Sequence, residues 1–292
     1  MELEPKTKLQ SAMEYLMTYG WAILAIAIVM VSLYSLGIFN SGNLQPVAAP
    51  GSCQIVRTAA QISLAGQCSN LIPKYVGQFN GNANVSIAAT ITLPGSFTYS
   101  AWIFWTGSSL PNYNGFLRFH DSTGLYGSSS QVEPAPNDLI YVRWDTSAAQ
   151  SQYTTSTTNL QSKTWYFYTV TYNSGTNQVT VYVNTVPGSS VGVAGTLPTK
   201  YTDNKIGVTY TGGAWAGYIS NVQLYNTSLD SASIKALYLE GIGGTPINVQ
   251  NLVGWWPLNG NANDYSGNNN QGTATNTVWN ANWQSGYTAP AS

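Results

Sequence analysis

His120 is the one imidazole in the sequence, and Cys53 and Cys68 are its two thiols. Nucleophilic, acid–base or metal chemistry would therefore draw on very few side chains. Hydrolysis of a glycoside takes two carboxylates facing each other across the scissile bond. Beyond Arg57 the only glutamates are Glu133 and Glu240, with Asp138 near the first. Glu133 precedes Pro134 in a loop-like stretch, and Glu240 ends a helical pattern. No strand pattern presents two carboxylates at alternate positions. A lone histidine at a strand end reads as a core or surface residue rather than a base. No catalytic residue is assigned, and the expectation is a protein that is not an enzyme. The two cysteines show no metal-ligand spacing. In an oxidising exterior they would pair and close a short loop, worth about 3 kcal/mol in the chain-entropy account. The alternative is two buried free thiols.

Binding is better supplied than catalysis. Aromatic residues make up 13% of the chain. In the strand pattern Trp165–Tyr172, one face carries Trp165 and Phe167 and the other Tyr166, Tyr168 and Tyr172. Only one face of a strand can meet an opposite sheet. Either some of these rings are exposed and stack on sugars, or loops cover them. Tyr166, Tyr168 and Trp215, the last in the Gly-rich turn GGAWAG, are the candidate ligand-binding rings. Asp264 in DYSGNNN offers oxygen ligands for calcium, or else an Asx-turn; no other cofactor is expected. Asn84-Val-Ser86 and Asn226-Thr-Ser228 make Asn84 and Asn226 candidate glycosylation sites.

The elements that must position these groups fall into two kinds. Residues Tyr15 to Phe39 carry no charge, and as a helix they would reach about 37 Å. That suffices for a hydrocarbon core of about 30 Å. Lys6 and Lys8 precede the run, so the short N-terminal tail should stay inside the cell and the rest face outward. Residues 40–52 are rich in Gly, Pro and Asn and read as a linker. Beyond them the apolar period becomes two. Strands are expected at Tyr75–Phe79, Val85–Ala88, Phe97–Trp105, Phe116–His120, Leu139–Trp144, Trp165–Tyr172, Gln178–Val183, Lys205–Thr209, Gly217–Tyr225 and Leu252–Leu258. A single helix, SASIKALYLE, is capped by Asp230 or Ser231, is ended by Gly241, and should lay Ile234, Leu237 and Tyr238 on a sheet edge. Only 7% of residues are charged and the net charge is −1, with no basic cluster, which excludes a nucleic-acid partner.

The stretch KLQSAMEYLMTYGWAIL resembles the N-terminus of archaeal type IV pilin-like proteins. The resemblance implies that a prepilin peptidase cuts between Leu9 and Gln10. Glu14 would then pair with the N-terminal amine of a neighbouring subunit in a low-dielectric bundle, where opposite charges attract strongly. Leu9 departs from the pattern, which has a small residue there. A second resemblance rests on four blocks in order: YVGQFNGNANVSI, FTYSAWIFW, TWYFYTVTYNSGTNQVTVYVN and GYISNVQLYNTSLDSASIKALYLEG. They are similar to laminin-G-like, concanavalin A-like jelly rolls. Here Thr185 replaces the usual hairpin glycine. LVGWWPLNGNANDYSGNNNQGT resembles an opening strand of such domains, yet it comes last, as a permuted strand completing its own sandwich, a strand donated to a neighbouring subunit, or a truncated second domain. The expected fold class is therefore an all-β antiparallel jelly-roll sandwich preceded by one long hydrophobic helix. Residues 1–9 would be a leader, 10–39 a transmembrane or filament-core helix, 40–52 a linker, and 53–292 the jelly roll with a permuted C-terminal strand. The resemblances imply a cell-surface filament subunit displaying an adhesion domain outside the cell membrane. Its partners would be copies of itself, the membrane, the peptidase, and glycans or cell-surface proteins. The rival is a membrane-anchored adhesin that never polymerises.

Overall fold

The computed structural model describes residues 6–35, 47–59, 61–69, 71–107, 114–132, 138–209 and 214–291, with side chains in the first helix described at 17 and from 19 onward. The chain divides into two units, Met1–Gln45 and Pro46–Ser292.

The first unit contains α1, Lys6–Ser35. Among the described residues no helix is long and apolar enough to cross a membrane. The expected span, Tyr15 to Phe39, continues past the described side chains at both ends. Met17, Trp21, Ile23, Ile26 and Val31 are all exposed. The side chains of Leu9, Gln10 and Glu14 lie outside the described residues.

The second unit is a two-sheet sandwich. A hairpin comes first, β1 (Cys53–Arg57) and β2 (Ile62–Gly66). Then follow β3 (Val76–Asn80), β4 (Asn84–Ile87), β5 (Phe97–Trp105), β6 (Asn114–His120), β7 (Gly127–Val132), β8 (Leu139–Asp145) and β9 (Gln152–Asn159). The chain continues through β10 (Trp165–Asn173), β11 (Gln178–Val183), β12 (Val186–Pro187), β13 (Val191–Gly192), β14 (Asp203–Ile206) and β15 (Ala216–Tyr225). Helix α2 (Ser231–Leu239) precedes β16 (Leu252–Trp256), β17 (Gly272–Thr275) and β18 (Val278–Asn280). One sheet has seven strands in the order β9-β8-β7-β6-β14-β4-β17. The other has nine, ordered β12-β11-β10-β5-β15-β3-β18, with β13 on β11 and β16 on β15. All pairings in the two sheets are antiparallel.

Alternation decides which side chains meet. Val85, Ile87, Leu117, Phe119, Val142 and Trp144 from the seven-stranded sheet pack on Tyr99, Ala101, Ile103, Tyr168, Val170 and Val181 from the other. Strand β7 reads GSSSQV and has almost no apolar residue, yet it is buried along its whole length. Its inward serines are satisfied by core tyrosines: Tyr99 Oη bonds Ser128 Oγ at 2.7 Å and Ser130 Oγ at 3.0 Å, and Ser130 also bonds Tyr168.

The nine-stranded sheet is buried on its outer face as well. Trp102, Phe104, Trp165 and Phe167 join Ile55, Ile234, Leu237, Trp255 and Trp283 in a second core. Asp230 caps α2, accepting a bond from Ser233 N at 2.8 Å, and Gly241 follows its end at φ +77°. The helix lies on the sheet's face rather than its edge, with Tyr238 stacked on Trp102 at 5.8 Å between ring centres. Trp102 and its neighbours are too large to leave wet, which is why α2, the hairpin and the C-terminal segment cover them.

Candidate functional site

With both faces of the nine-stranded sheet covered, the outer face of the seven-stranded sheet carries polar side chains in register, buried on the central strands β6 and β7 and accessible at Tyr153, Arg143 and Lys205. A single rung crosses it from edge to edge: Tyr153 opposite Arg143, Arg143 opposite Ser129, Ser129 opposite Arg118, Arg118 opposite Lys205, Lys205 opposite Ser86, and Ser86 opposite Thr273. Strands lie about 4.8 Å apart, so Tyr153 and Lys205 stand about 19 Å apart across four steps. The next rung holds Asp145, Gly127, His120 and Asp203. Of the chain's ten Lys/Arg and eleven Asp/Glu, three and two stand in these two rungs. In so weakly charged a chain that is a concentration.

The ions are ordered by one another. Arg143 grips Asp145 with two bonds, Nε to Oδ2 at 2.8 Å and Nη2 to Oδ1 at 2.9 Å, a fork geometry that fixes the guanidinium. Asp145 is itself 2% exposed and also accepts from Ser151 N. Arg118 pairs with Asp203 through Nη2 and Oδ2, and Lys205 Nζ reaches the other oxygen of Asp203 at 3.4 Å. His120 is fully buried, its Nδ1 donating to Gly124 O at 3.0 Å, and burial pushes its pKa below the ordinary value.

An aromatic platform ends the rung. Tyr141 and Tyr153 stack with centres 4.8 Å apart and planes at 24°. Tyr153, 55% exposed, is the one strongly exposed ring among the described residues of the second unit. Thr209 closes the far side of the face beside Gly115, where any Cβ would overlap its side chain. Ordered cations, hydroxyls and a ring in one row can bind a polar, ring-shaped ligand.

The rings expected to touch ligand are elsewhere. Trp215 is fully buried, edge-on to Phe116 and donating from Nε1 to Tyr218 O at 3.2 Å. Tyr168 is fully buried and Tyr166 nearly so, its hydroxyl accepting from Gln161 N at 2.9 Å. All three belong to the main core. The correction has a simple cause: both faces of the nine-stranded sheet are covered, so a ring on either face is internal. Asp264 is also spoken for. Its Oδ1 accepts from Trp255 N and Ser266 N, and its Oδ2 from Ser266 Oγ and Asn270 N. A calcium ion would have to displace these four bonds, and among the described residues no group of three His, Cys, Asp or Glu could hold a metal. Cys53 and Cys68 are bridged. Asn226 is exposed, and Asn84 is partly exposed at the rim of the polar face, two residues from Ser86. Glu133 lies outside the described residues.

A cleft of about 470 Å³, open to solvent, lies beside the disulfide between Leu71, Trp255 and Tyr265. Its amides are spent within the fold: Asn221 Nδ2 donates to Gly244 O at 2.9 Å and Asn259 Nδ2 to Ala48 O at 2.9 Å. It offers walls but no convergent polar groups, and the polar face is the better site.

Tyr153, Arg143 and Arg118 were missed in the sequence because they sit on β6, β8 and β9, where the rung exists only once register is known. The weak signal was Arg and Asp placed among alternating apolar residues in LRFHD and YVRWD.

These features define a concanavalin A-like sandwich with a polar sheet face. Residues 79–235 match the Laminin_G_3 family, described as the concanavalin A-like lectin/glucanases superfamily, and the chain belongs to that family. No curated protein matches the sequence. Among solved structures, a candidate carbohydrate binding protein from Bacteroides ovatus is similar at TM-score 0.54 and 15% identity, over 87% of this chain and 84% of that one. A SAP-like pentraxin from Limulus polyphemus matches at TM-score 0.47 and 14% identity, over 59% and 84%. The sialidase CBM40 of Ruminococcus gnavus matches at 0.41 and 11%, over 54% and 98%. At these identities the first likeness speaks to fold alone, and the other two are too distant to argue from.

Proposed function

We propose that the second unit is a carbohydrate-binding, lectin-like module, and that the Tyr153–Arg143–Ser129–Arg118–Lys205 rung is its binding face. The observation that carries this reading is the rung itself, an ordered row of charge and hydroxyls ending in an exposed ring. The family is one of lectins and glucanases, and the Bacteroides ovatus relative described as binding carbohydrate is consistent with it. Both described carboxylates of these two rungs are engaged by arginine or lysine, which suits binding more than acid–base work. The test is a printed glycan array probed with the full chain. Binding to at least one glycan class should fall about tenfold on Tyr153→Ala, in line with loss of a ring contact. Binding that survives both Tyr153→Ala and Arg143→Met unchanged would remove the site from this face.

A second reading concerns α1. The module is displayed at the cell surface by a pilin-like helix that packs against copies of itself in a filament. Exposed Met17, Trp21, Ile23, Ile26 and Val31 support that reading, since uncovered apolar side chains of this number call for a partner. Calcium remains outside the proposal, while membrane residence before assembly and processing between Leu9 and Gln10 belong to it. Mass spectrometry of native surface material should find Gln10 as the first residue. Met1 in every molecule would end the filament reading and leave the anchored adhesin.

A further inference from the structure

The chain carries two sequons of the same type, Asn84-Val85-Ser86 and Asn226-Thr227-Ser228. Sequence cannot rank them, since each has serine at its third position and no proline at its second. Glycan transfer asks two things of such a site: an asparagine amide free to react, and a hydroxyl two residues on that is free to engage the transferring enzyme. The fold sets the two apart. In β4, Ser86 Oγ donates to Asn84 Oδ1 at 3.1 Å, so the two groups of this sequon are spent on each other. Val85 and Ser86 are paired on both sides, to β14 and β17. Asn84 is paired to Thr275, and its carbonyl accepts from Thr277 Oγ1 at 3.1 Å. Asn226, by contrast, is exposed, and neither its amide side chain nor the Ser228 hydroxyl has a partner among the described residues. These residues follow the end of β15 and precede the Asp230 cap of α2, outside any strand. Thr98 holds their backbone: its Oγ1 donates to Thr227 O at 2.8 Å and accepts from Leu229 N at 2.8 Å. Asn226 N donates to Asn251 O at 2.9 Å. The main chain is fixed while both groups that transfer needs stay unspent. Resting on the surface-display reading above, we infer that Asn226 is an N-glycosylation site of the exported chain and that Asn84 is not. The donor is a lipid-linked oligosaccharide phosphate. Asn226 Nδ2 bonds to the anomeric carbon of the first sugar, and the bond from that carbon to the phosphate oxygen breaks. The lipid phosphate leaves with the electron pair, and the amide gives up one proton to solvent. A glycan there stands at the end of β15 in the nine-stranded sheet, whereas one on Asn84 would stand beside Ser86 on the proposed binding face.

The test is peptide mapping by mass spectrometry of the full chain, taken from its native cells after labelling with a membrane-impermeant amine reagent. In most labelled chains the peptide holding Asn226 should carry a saccharide mass, and the peptide holding Asn84 should carry none. Transfer before folding would treat the two sequons alike, so a difference between them is the mark of the fold. Asn226→Gln and, separately, Ser228→Ala should each abolish the mass, the first by deleting the acceptor and the second by deleting only the hydroxyl. Asn84→Gln should leave it in place. Neither Asn226 nor Ser228 holds a side-chain bond among the described residues, so both variants should keep the thermal midpoint, and a lost mass then reports the site and not the fold. Saccharide on Asn226 that survives Ser228→Ala overturns transfer through the sequon. Saccharide on Asn84, alone or with Asn226, overturns selection by the fold. Labelled chains whose Asn226 is bare overturn the assignment and leave surface display standing. Chains that are never labelled and never glycosylated overturn the display reading and this one together.

Discussion

Thr185 sits at φ +74° beside Asn184 at φ +46°, at the tip of the β11–β12 hairpin. Two successive positive φ angles make a tight turn that matches strand twist, and its second position suits glycine. Asn184 is committed, accepting from Phe167 N at 2.8 Å, but Thr185 is β-branched where a side chain is strained. Thr185→Gly should stabilise the protein by about 1 kcal/mol, seen as a thermal midpoint about 2–4 °C higher. The departure from the family pattern at this residue was legible in sequence; its strain was not. His120 gives a second prediction at this scale. The charged groups facing it are Arg118 on its own strand, Asp145 on β8 and Asp203 on β14. Burial is the dominant cause and favours the neutral ring, so the folded pKa lies below the unfolded one. Unfolded chains then bind more protons as pH falls below the ordinary histidine value. Stability is full above that value and is lost as pH drops towards the folded pKa. Denaturant midpoints measured from pH 7.5 to pH 5 should fall in the wild type and fall less in His120→Gln.

At the scale of elements, the hairpin β1–β2 is held by two devices. The Cys53–Cys68 bridge ties its open end. Arg57 reaches across to the C-terminal segment, donating to Ser266 O at 2.9 Å, Val249 O at 2.8 Å and Leu252 O at 2.9 Å. Bonds from a charged donor contribute about 1.5–3 kcal/mol each before solvent screening, and Arg57 is only partly buried. Arg57→Ala should therefore loosen the hairpin without unfolding the sandwich. Hydrogen exchange is the measurement: amides of residues 53–66 should lose protection while those of β5 and β10 keep theirs. Loss of protection throughout would mean that the hairpin is integral to the main core. The hairpin was invisible to a search for alternation, as were β7 and β9. CQIVR and ISLAG are short, and GSSSQV and QYTTSTTN carry hydroxyls where a strand usually shows apolar residues. Nine of the ten strands expected from period-two patterns are present within two residues of their expected bounds, because there the buried side chains are themselves apolar; the tenth, expected at Lys205–Thr209, runs instead over Asp203–Ile206 and is ended by Gly207 at φ +91°. Serine facing tyrosine hydroxyls buries as well as valine, but it writes no hydrophobic signal. The same limit hid the candidate site. Each of Arg118, Arg143, Lys205 and Tyr153 is an ordinary outward residue until the strand order β9-β8-β7-β6-β14 places them in one row.

At the scale of the whole molecule, the last 45 residues finish what the first 200 leave open. The N-terminal half of β15 pairs with β3 from Gly77 to Asn80, and its C-terminal half pairs with β16 from Leu252 to Trp256. Strand β16 thus occupies the edge that would otherwise be bare. Its alternation serves both cores, with Trp256 in the main core and Trp255 in the second. Both indoles are anchored as well as buried: Trp256 Nε1 donates to Asn270 O at 2.9 Å and Trp255 Nε1 to Asn221 Oδ1 at 2.8 Å. Strand β17 then forms one edge of the seven-stranded sheet and β18 one edge of the nine-stranded sheet. Trp283 closes the second core, donating to Pro73 O at 3.2 Å. Ending the chain at Gly244 would strip three strands and four tryptophans, Trp255, Trp256, Trp279 and Trp283, from both layers at once. Losing a single buried tryptophan costs about 3–5 kcal/mol, comparable to half of a typical domain's stability, so the remainder cannot stay cooperative. The shortened protein should be insoluble or should melt without a sharp transition, and a separate peptide of residues 248–292 should restore part of the native near-ultraviolet dichroism. A shortened chain that unfolds cooperatively at the full-length midpoint would mean that β16 adds an edge but closes no core.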